Sequence, residues 1–164
     1  MITNESNNLI STSKVQMHDE SHELTVTIGD ESIKNISFNY SKDSISESEK
    51  DIFKSEQLTL SETKYIEINK KITLDFGKVP PDNVTVKDIL LNSEGGYLYP
   101  DKLSTDISLT NEDDKFSFLL QKNPASLLNS KFDNTRIDFR GFKIIATWGL
   151  NKVIYAFVIK ADAY

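Results

Sequence analysis

The sequence has no cysteine among its 164 residues. This excludes disulfide bonds, thiolate nucleophiles and zinc sites with thiolate ligands. It does not decide the compartment, because reduced cytosolic proteins and cysteine-free secreted proteins both satisfy it. Histidine is scarce too, with only His18 and His22 present. General-base catalysis would therefore depend on carboxylates, and no carboxylate stands alone in an apolar context.

Several enzyme motifs are also missing. The sequence contains no nucleophile elbow, no glycine-rich phosphate loop and no dinucleotide-binding fingerprint. We therefore predict a protein that is not an enzyme, with no catalytic residues and no cofactor.

The single tryptophan, Trp148, is predicted to anchor the core of a sheet-on-sheet fold rather than to carry a cofactor.

Basic residues are outnumbered, with 19 Lys and Arg against 25 Asp and Glu, so the formal net charge is −6. Binding to a phosphate backbone needs clustered cations, and this balance predicts no nucleic-acid partner. The densest basic group, Lys64, Lys70 and Lys71, lies in a strand-like segment. We interpret it as a solvated edge strand, where lysine discourages unwanted pairing.

Long hydrophobic runs are absent as well. No run approaches the roughly 20 apolar residues of a membrane-spanning helix, and the N-terminal "MITNESNNLISTSK" lacks the regions of a signal peptide. Either the protein is not exported or its signal has been removed. Residues 1–21 are polar and are predicted to be a flexible tail, able to act as a tether. Residues 22–164 are predicted to form one domain.

After the tail, apolar residues recur with a period of two, which predicts strands with one buried face. The segments "ELTVTIGD", "IKNISFNY" and "VTVKDILL" follow this pattern. "YIEINKKITLDF" predicts either one long strand or a hairpin that turns at residues 69–70. "DISLT" and "KFSFLL" flank the turn "NEDD". They predict a hairpin with Ile107 and Leu109 against Phe116 and Phe118.

The most apolar stretch lies near the C-terminus, in "FKIIATWGLNKVIYAFVIK", residues 142–160. It predicts two strands around a turn at residues 149–152, apolar on both faces. Such strands belong in the middle of a sheet that is covered on each side. Burial of each large side chain contributes about 1.5–3 kcal/mol, so this hairpin is predicted to be the main source of stability.

Two segments have helical features. In "NPASLLNS" we predict one short helix at residues 124–129, with Asn123 as its cap and Pro124 at its first position. Leu127 and Leu128 are expected to plug one end of the fold. "SESEKDIFKSEQ" predicts either a helix with Ile52 and Phe53 on one side or a polar insertion between strands. Together the pattern predicts an all-β fold, an immunoglobulin-like β-sandwich of seven to nine strands.

Five residues are candidates for ligand binding. Tyr97 and Tyr99 lie in "GGYLYP" beside a glycine turn, where aromatic residues can recognise a peptide, a glycan or a partner protein, or can simply cover a sheet edge. Glu112, Asp113 and Asp114 offer oxygen ligands in "NEDD". This turn lacks the glycine and the distal Glu of an EF-hand loop, so an acidic, solvated hairpin tip is the favoured interpretation.

Two further groups of polar residues each have a functional and a simpler structural interpretation. His18 and His22 are spaced to bind a metal on a helix, but the Glu that follows the first His of the zinc-protease motif is absent. We therefore predict no metal site. Arg136, Asp138 and Arg140 fall on one face of a strand, which predicts a surface ion-pair row.

The chain resembles a group of bacterial domains. "ITLDFGKVPPDNVTVKDILLN", then "FSFLL", "NPASLL" and "RGFKIIATWG…YAFVIKADA", are similar to extracytoplasmic domains of Gram-positive lipoproteins and other exported proteins. The resemblance spans about residues 72–163. It implies an immunoglobulin-like sandwich, an extracellular or cell-surface location, and a lipid anchor on a cysteine upstream, with the signal or lipobox removed. The resemblance implies no catalytic residues.

These observations favour a non-enzymatic cell-surface or secreted β-sandwich module that binds a protein or a glycan. An alternative is a self-assembling structural, coat or toxin-associated subunit whose sheet edges join copies together. A more remote alternative is a carboxylate-dependent glycan hydrolase, which needs two acids about 5–9 Å apart across one cleft.

Overall fold

A computed structural model describes residues 22–39, 49–129 and 133–164. The predicted tail, residues 1–21, lies outside the described residues. The described residues form ten strands: β1 (Thr25–Ile28), β2 (Glu31–Ile33), β3 (Ile36–Asn39), β4 (Lys71–Asp75), β5 (Asn83–Leu91), β6 (Thr105–Ile107), β7 (Thr110–Glu112), β8 (Lys115–Leu119), β9 (Ile137–Trp148) and β10 (Asn151–Asp162). Short 3-10 helices occupy Glu49–Lys54, Glu56–Leu58, Leu60–Glu62, Asp101–Leu103 and Pro124–Leu128.

The strands form two antiparallel sheets. The first has the order β2-β1-β4-β8-β7 and the second has the order β3-β10-β9-β5-β6. Within them, β1-β4-β8-β7 matches the four-stranded sheet of an immunoglobulin domain, and β10-β9-β5-β6 matches the opposing sheet of the variable type. The predicted all-β, immunoglobulin-like sandwich is confirmed. The described residues form ten strands rather than the predicted seven to nine, because β2 and β3 are additional edge strands. No helix among the described residues is long and apolar enough to span a membrane.

The main core lies between the two sheets. Leu24, Val26 and Ile28 are all buried in it, as the period of two predicts for β1. Aromatic rings pack against each other between the two sheets. The ring centroid of Phe118 in the first sheet lies 5.5 Å from that of Phe142 in the second, and the rings of Phe142 and Phe157 stack with centroids 4.9 Å apart. Burial of these side chains is the principal source of stability for such a fold.

A second apolar layer covers the outer face of the second sheet. Ile52, Phe53 and Leu58 of the 3-10 segment are buried against Ile154 and Ala156 of β10. This explains why β9 and β10 are apolar on both faces, as the sequence predicts. The segment that could have been a helix is instead a series of short 3-10 turns, and its first residues lie outside the described ones.

The predicted hairpin around "NEDD" forms, but with different partners. β7 pairs with β8 through a two-residue turn at Asp113 and Asp114, whose φ angles are 52° and 63°. Positive φ at both central residues is the geometry of a hairpin type I′ turn. Ile107 belongs to β6 and pairs with Val86 in the second sheet, so the predicted pairing of Ile107 with the phenylalanine strand is wrong.

The segment "YIEINKKITLDF" is neither one strand nor a hairpin. The backbone N–H of Ile66 donates to the carbonyl of Lys160 in the second sheet at 2.8 Å. The chain then turns at Asn69, with φ 75°, and enters the first sheet as β4. β4 lies between β1 and β8, so the predicted lysine-rich edge strand is wrong. Lys71 is exposed on the outer face of an internal strand.

The predicted helix at residues 124–129 is a 3-10 helix, Pro124–Leu128. Its cap is as expected, because Asn123 Oδ1 accepts the N–H of Ala125 at 2.9 Å. The expectation for the two leucines is wrong, since Leu127 and Leu128 are exposed while Ala125 and Ser126 are buried. The small side chains face inward because this turn lies directly against polar groups of the sheet.

Candidate functional site

A cleft of about 530 Å³ opens beside the loop that follows β5. Its walls are Lys54 of the first 3-10 helix and residues 96–101, which include the predicted binding residues Tyr97 and Tyr99. Leu98 is 48% exposed there, and both tyrosines are half-buried. The cleft therefore presents aromatic and aliphatic surface to solvent. We refer to it as the tyrosine cleft.

Hydrogen bonds fix the loop that forms this cleft. Asn92 Oδ1 accepts the backbone N–H groups of Glu94 and Gly96, each at 2.9 Å. The backbone N–H of Asn92 donates to the carbonyl of Gly96 at 2.8 Å, and the backbone N–H of Leu98 donates to the carbonyl of Leu90 at 3.0 Å. Because the loop is held at both ends, the tyrosines are positioned before any ligand arrives.

Gly95 lets this loop approach the outer layer closely. Its φ is +87°, and a Cβ atom here would lie 2.3 Å from the carbonyl oxygen of Phe53. The ring of Phe53 lies 6.1 Å from the ring of Tyr97. Only glycine combines the positive φ with this approach, so the loop and the first 3-10 helix become two walls of one cleft.

The chemistry of the cleft is apolar at the centre and polar at the rim. Burial, with smaller effects of Asp101 and Glu49, raises the pKa of Tyr97 to about 12. The hydroxyl therefore stays protonated and can donate a hydrogen bond. The rim charges are paired, Lys54 with Asp51 at 3.1 Å and Asp101 with Lys87 at 3.7 Å. An apolar centre with a polar rim is typical of sites that recognise other proteins.

The other predicted binding residues lie at the opposite end of the sandwich. Glu112, Asp113 and Asp114 form the exposed β7–β8 turn, next to the Lys115–Asp75 ion pair. β4 ends here and leads into the loop whose Val79 carbonyl accepts the indole N–H of Trp148. β5 runs from that end towards the tyrosine cleft. The two predicted groups therefore cannot form one site.

His22 and Trp148 lie together at that same end of the sandwich. His22 stacks on Trp148 with ring centroids 3.8 Å apart, and His18 lies outside the described residues. Among the described residues, no group of three or more His, Asp and Glu is placed to hold a metal ion. Trp148 is half-buried at the margin of the core, while Phe157 is fully buried within it.

The predicted surface row of Arg136, Asp138 and Arg140 is wrong, because the row faces the interior. Asp138 is 7% exposed and accepts the Ser126 hydroxyl at 2.6 Å, while Arg136 donates to Asp138 at 3.1 Å. Arg140 pairs with Asp88 of β5. The sequence contained evidence for this buried pair. Asp88 lies two residues after the core residue Val86 in the same strand, so both side chains face the same side of the sheet.

Comparison with known proteins adds no relative, since no protein-family model and no curated protein matches the chain. Function is therefore inferred from the geometry of the described residues. The tyrosine cleft contains one carboxylate, Asp101, in its wall, whereas glycoside hydrolysis needs a pair.

Proposed function

We propose that the protein is a non-enzymatic binding module, and that the tyrosine cleft receives an apolar segment of a partner protein. The observation that carries this proposal is the group formed by exposed Leu98 and half-buried Tyr97 and Tyr99 on a hydrogen-bonded loop. Tyrosines with few rotatable bonds are enriched among the residues that dominate protein interfaces. The paired charges at the rim leave the cleft nearly neutral, which suits an uncharged segment.

The proposed location of the protein rests only on its resemblance to extracytoplasmic domains. We propose a cell-surface or secreted setting, in keeping with the similarity to extracytoplasmic Gram-positive domains. Protease treatment of intact cells that express the full-length gene tests this. Loss of the protein from intact cells supports the proposal, whereas protection until the cells are lysed contradicts it.

Selection of displayed peptides tests the cleft. A random peptide library is selected against the folded protein, and the enriched peptides are titrated by calorimetry. We expect apolar segments whose affinity falls about 30-fold in Tyr99→Ala, since truncation of a central interface residue removes about 2 kcal/mol. Leu98→Asp should weaken binding further, because it places a charge in the apolar centre.

Leu150→Asp is the matched control, since Leu150 is fully exposed at the β9–β10 turn, at the other end of the sandwich. It should leave peptide affinity unchanged. If selection enriches no peptide, or if Tyr99→Ala binds the peptides as the wild type does, the protein-binding proposal is wrong. Binding of glycans that is lost in the cleft variants would assign the cleft to sugars instead.

The self-assembly alternative has less support. The four edge strands are short, with three residues in β2, β6 and β7 and four in β3. All three residues of β7 are exposed and polar. Short polar edges discourage the pairing of strands between molecules, so the sheet edges favour a binding module over a coat or fibre subunit.

A further inference from the structure

A second cleft, of about 280 Å³, lies where the two sheets and the outer apolar layer meet. Its floor consists of three buried apolar side chains, Ile33 of β2, Leu58 of the second 3-10 helix and Val158 of β10. Its walls include the charged residues Lys34 and Glu62. We refer to it as the junction cleft. It shares no lining residue with the tyrosine cleft.

The path of the chain explains why a lysine lies beside this cleft. β2 is at the edge of the first sheet and β3 is at the edge of the second, so residues 34–35 carry the chain from one sheet to the other. Asn35 Nδ2 donates to the carbonyl of Leu24 at 2.8 Å and fixes this crossing. Lys34 therefore belongs to neither sheet, and its exposed side chain lines the cleft.

Lys34 is held at the cleft by a hydroxyl group. Its Nζ donates to Thr59 Oγ1 at 3.3 Å. Within the described residues, Lys34 makes no ion pair. The other lysine of the cleft, Lys64, is neutralised by Glu31 at 3.8 Å and donates to the carbonyl of Ser32 at 3.2 Å. Lys34 is thus the cation that a ligand in this cleft can pair with.

The backbone of Thr59 is strained. Its φ is 50°, which is a left-handed conformation that a β-branched residue rarely adopts. Thr59 joins the 3-10 helices Glu56–Leu58 and Leu60–Glu62, and glycine would adopt this conformation without strain. The hydroxyl does not cap the helix that follows, because it accepts from Lys34 instead. Strained residues are concentrated at functional sites, so this threonine indicates a role for its hydroxyl at the cleft.

Glu62 supplies an anion to the same cleft. It ends the 3-10 helix that begins after Thr59, and its backbone N–H donates to the carbonyl of Thr59 at 2.9 Å. The exposed carboxylate of Glu62 makes no ion pair with any residue that the structure describes. The junction cleft therefore offers one cation and one anion to a ligand, above an apolar floor.

We propose that the junction cleft binds a free α-amino acid with an apolar side chain. The carboxylate of the ligand accepts a charge-assisted hydrogen bond from Lys34, and its ammonium group donates one to Glu62. The side chain of the ligand covers the apolar floor and removes this surface from water. The proposal does not depend on the function proposed for the tyrosine cleft.

Other classes of ligand match fewer of these features. A simple carboxylic acid would pair with Lys34, but the charge of Glu62 would repel it. An amine would pair with Glu62 and would be repelled by Lys34. An uncharged hydrocarbon would cover both charged groups without satisfying either, which is unfavourable. A small zwitterion pairs with both groups at once.

Titration of the isotope-labelled full chain with leucine, followed by NMR chemical shifts, tests the proposal. We expect saturable shifts at the residues of the junction cleft. Isocaproate lacks the ammonium group of leucine and isoamylamine lacks its carboxylate, so each should bind about ten-fold more weakly than leucine. These two analogues show which end of the ligand each protein group recognises.

Two charge variants identify the partners of the ligand. Lys34→Met should weaken leucine binding about ten-fold without weakening that of isoamylamine. Glu62→Gln should weaken leucine binding to a similar extent without weakening that of isocaproate. Lys102→Met is the matched control, since Lys102 is an exposed lysine beside β6, at the opposite edge of the second sheet from β3. It should bind leucine as the wild type does.

Variants of Thr59 separate binding from folding. Thr59→Gly removes the hydroxyl and relieves the left-handed strain, so leucine affinity should fall about three-fold while the unfolding midpoint changes little. Thr59→Ser retains the hydroxyl and should bind as the wild type does. If leucine causes no saturable shifts, or if Lys34→Met and Lys102→Met bind it equally, the proposal is overturned. Isocaproate that binds as tightly as leucine would also overturn it, because Glu62 would then contribute nothing.

Discussion

Asp88 of β5 and Arg140 of β9 form an ion pair inside the sandwich, where each side chain is no more than 2% exposed. Arg140 Nε donates to Asp88 Oδ1 at 3.2 Å, and Nη2 of the same guanidinium donates to Oδ2. Burial raises the pKa of Asp88, and the guanidinium opposes that effect. Transfer of two charged groups from water to the protein interior costs free energy. The attraction between the two charges and their well-aligned hydrogen bonds must offset this cost.

Removal of one partner should destabilise the fold strongly. Asp88→Asn keeps the volume of the side chain but leaves the Arg140 charge buried without a counter-ion. We expect the free energy of unfolding to fall by about 3–5 kcal/mol. Urea denaturation followed by circular dichroism measures this change.

Two comparisons isolate the charge effect. The double variant Asp88→Leu with Arg140→Met should be more stable than Asp88→Asn, because no unpaired charge remains in the interior. Lys115→Ala removes an exposed partner of Asp75 and should change stability by less than about 1 kcal/mol. Wild-type stability in Asp88→Asn would show that the buried pair has no structural role.

The individual strands could be predicted well from the sequence. The alternation of Leu24, Val26 and Ile28 identified the buried face of β1, because the side chains of a strand point to alternate faces. The apolar run from residue 142 to residue 160 predicted a hairpin covered on both sides, and the second apolar layer confirms it. Local periodicity is sufficient for these features.

The assignment of strands to sheets could not be predicted in the same way. Ile107 has the pattern of an inward residue in either sheet, and its partner Val86 lies in a strand reached through a long loop. Periodicity gives the face of a residue but not its neighbouring strand. For this reason the burial of Arg140 against Asp88 also escaped prediction.

The same distinction applies to the proposed binding site, the tyrosine cleft. Tyr97 and Tyr99 were predicted from a local signal, two glycines followed by aromatic residues. Their wall partner Lys54 comes from a segment about 40 residues earlier in the chain, which no local pattern connects with them.

Alkaline pH should destabilise the protein through Tyr97. Its folded pKa is raised to about 12, whereas the unfolded value is near 10. The stabilising contribution is therefore complete below about pH 10 and is lost as pH rises towards 12, because the unfolded chain ionises first. We expect the free energy of unfolding of the wild type to fall across this window.

Tyr97→Phe cannot ionise and should reduce the alkaline loss of stability, while its stability at neutral pH changes little. Tyr155 strengthens the wild-type effect, since burial raises its pKa as well. Urea denaturation in steps between about pH 9 and 12 measures both variants. An identical alkaline loss in Tyr97→Phe and the wild type would show that Tyr97 ionises at the same pH in the folded and unfolded states.

Gly95→Ala should disrupt the tyrosine cleft as well as lower stability. The positive φ of +87° disfavours alanine by about 1–2 kcal/mol. The new methyl group would also meet the Phe53 carbonyl oxygen, and overpacking of this kind adds about 1–3 kcal/mol. We expect a total loss of about 2–5 kcal/mol in urea denaturation, and weaker binding of cleft-selected peptides.

Gly77→Ala is a closely matched control, because Gly77 has a φ of +85° and nothing lies within 4 Å of its Cβ position. It should show only the backbone cost of about 1–2 kcal/mol and normal peptide binding, since Gly77 lies near the other end of the sandwich. The difference between the two variants measures the contact between the loop and Phe53. Equal losses in both would mean that the loop can move away from Phe53 freely, and the tyrosine cleft would then not be preformed.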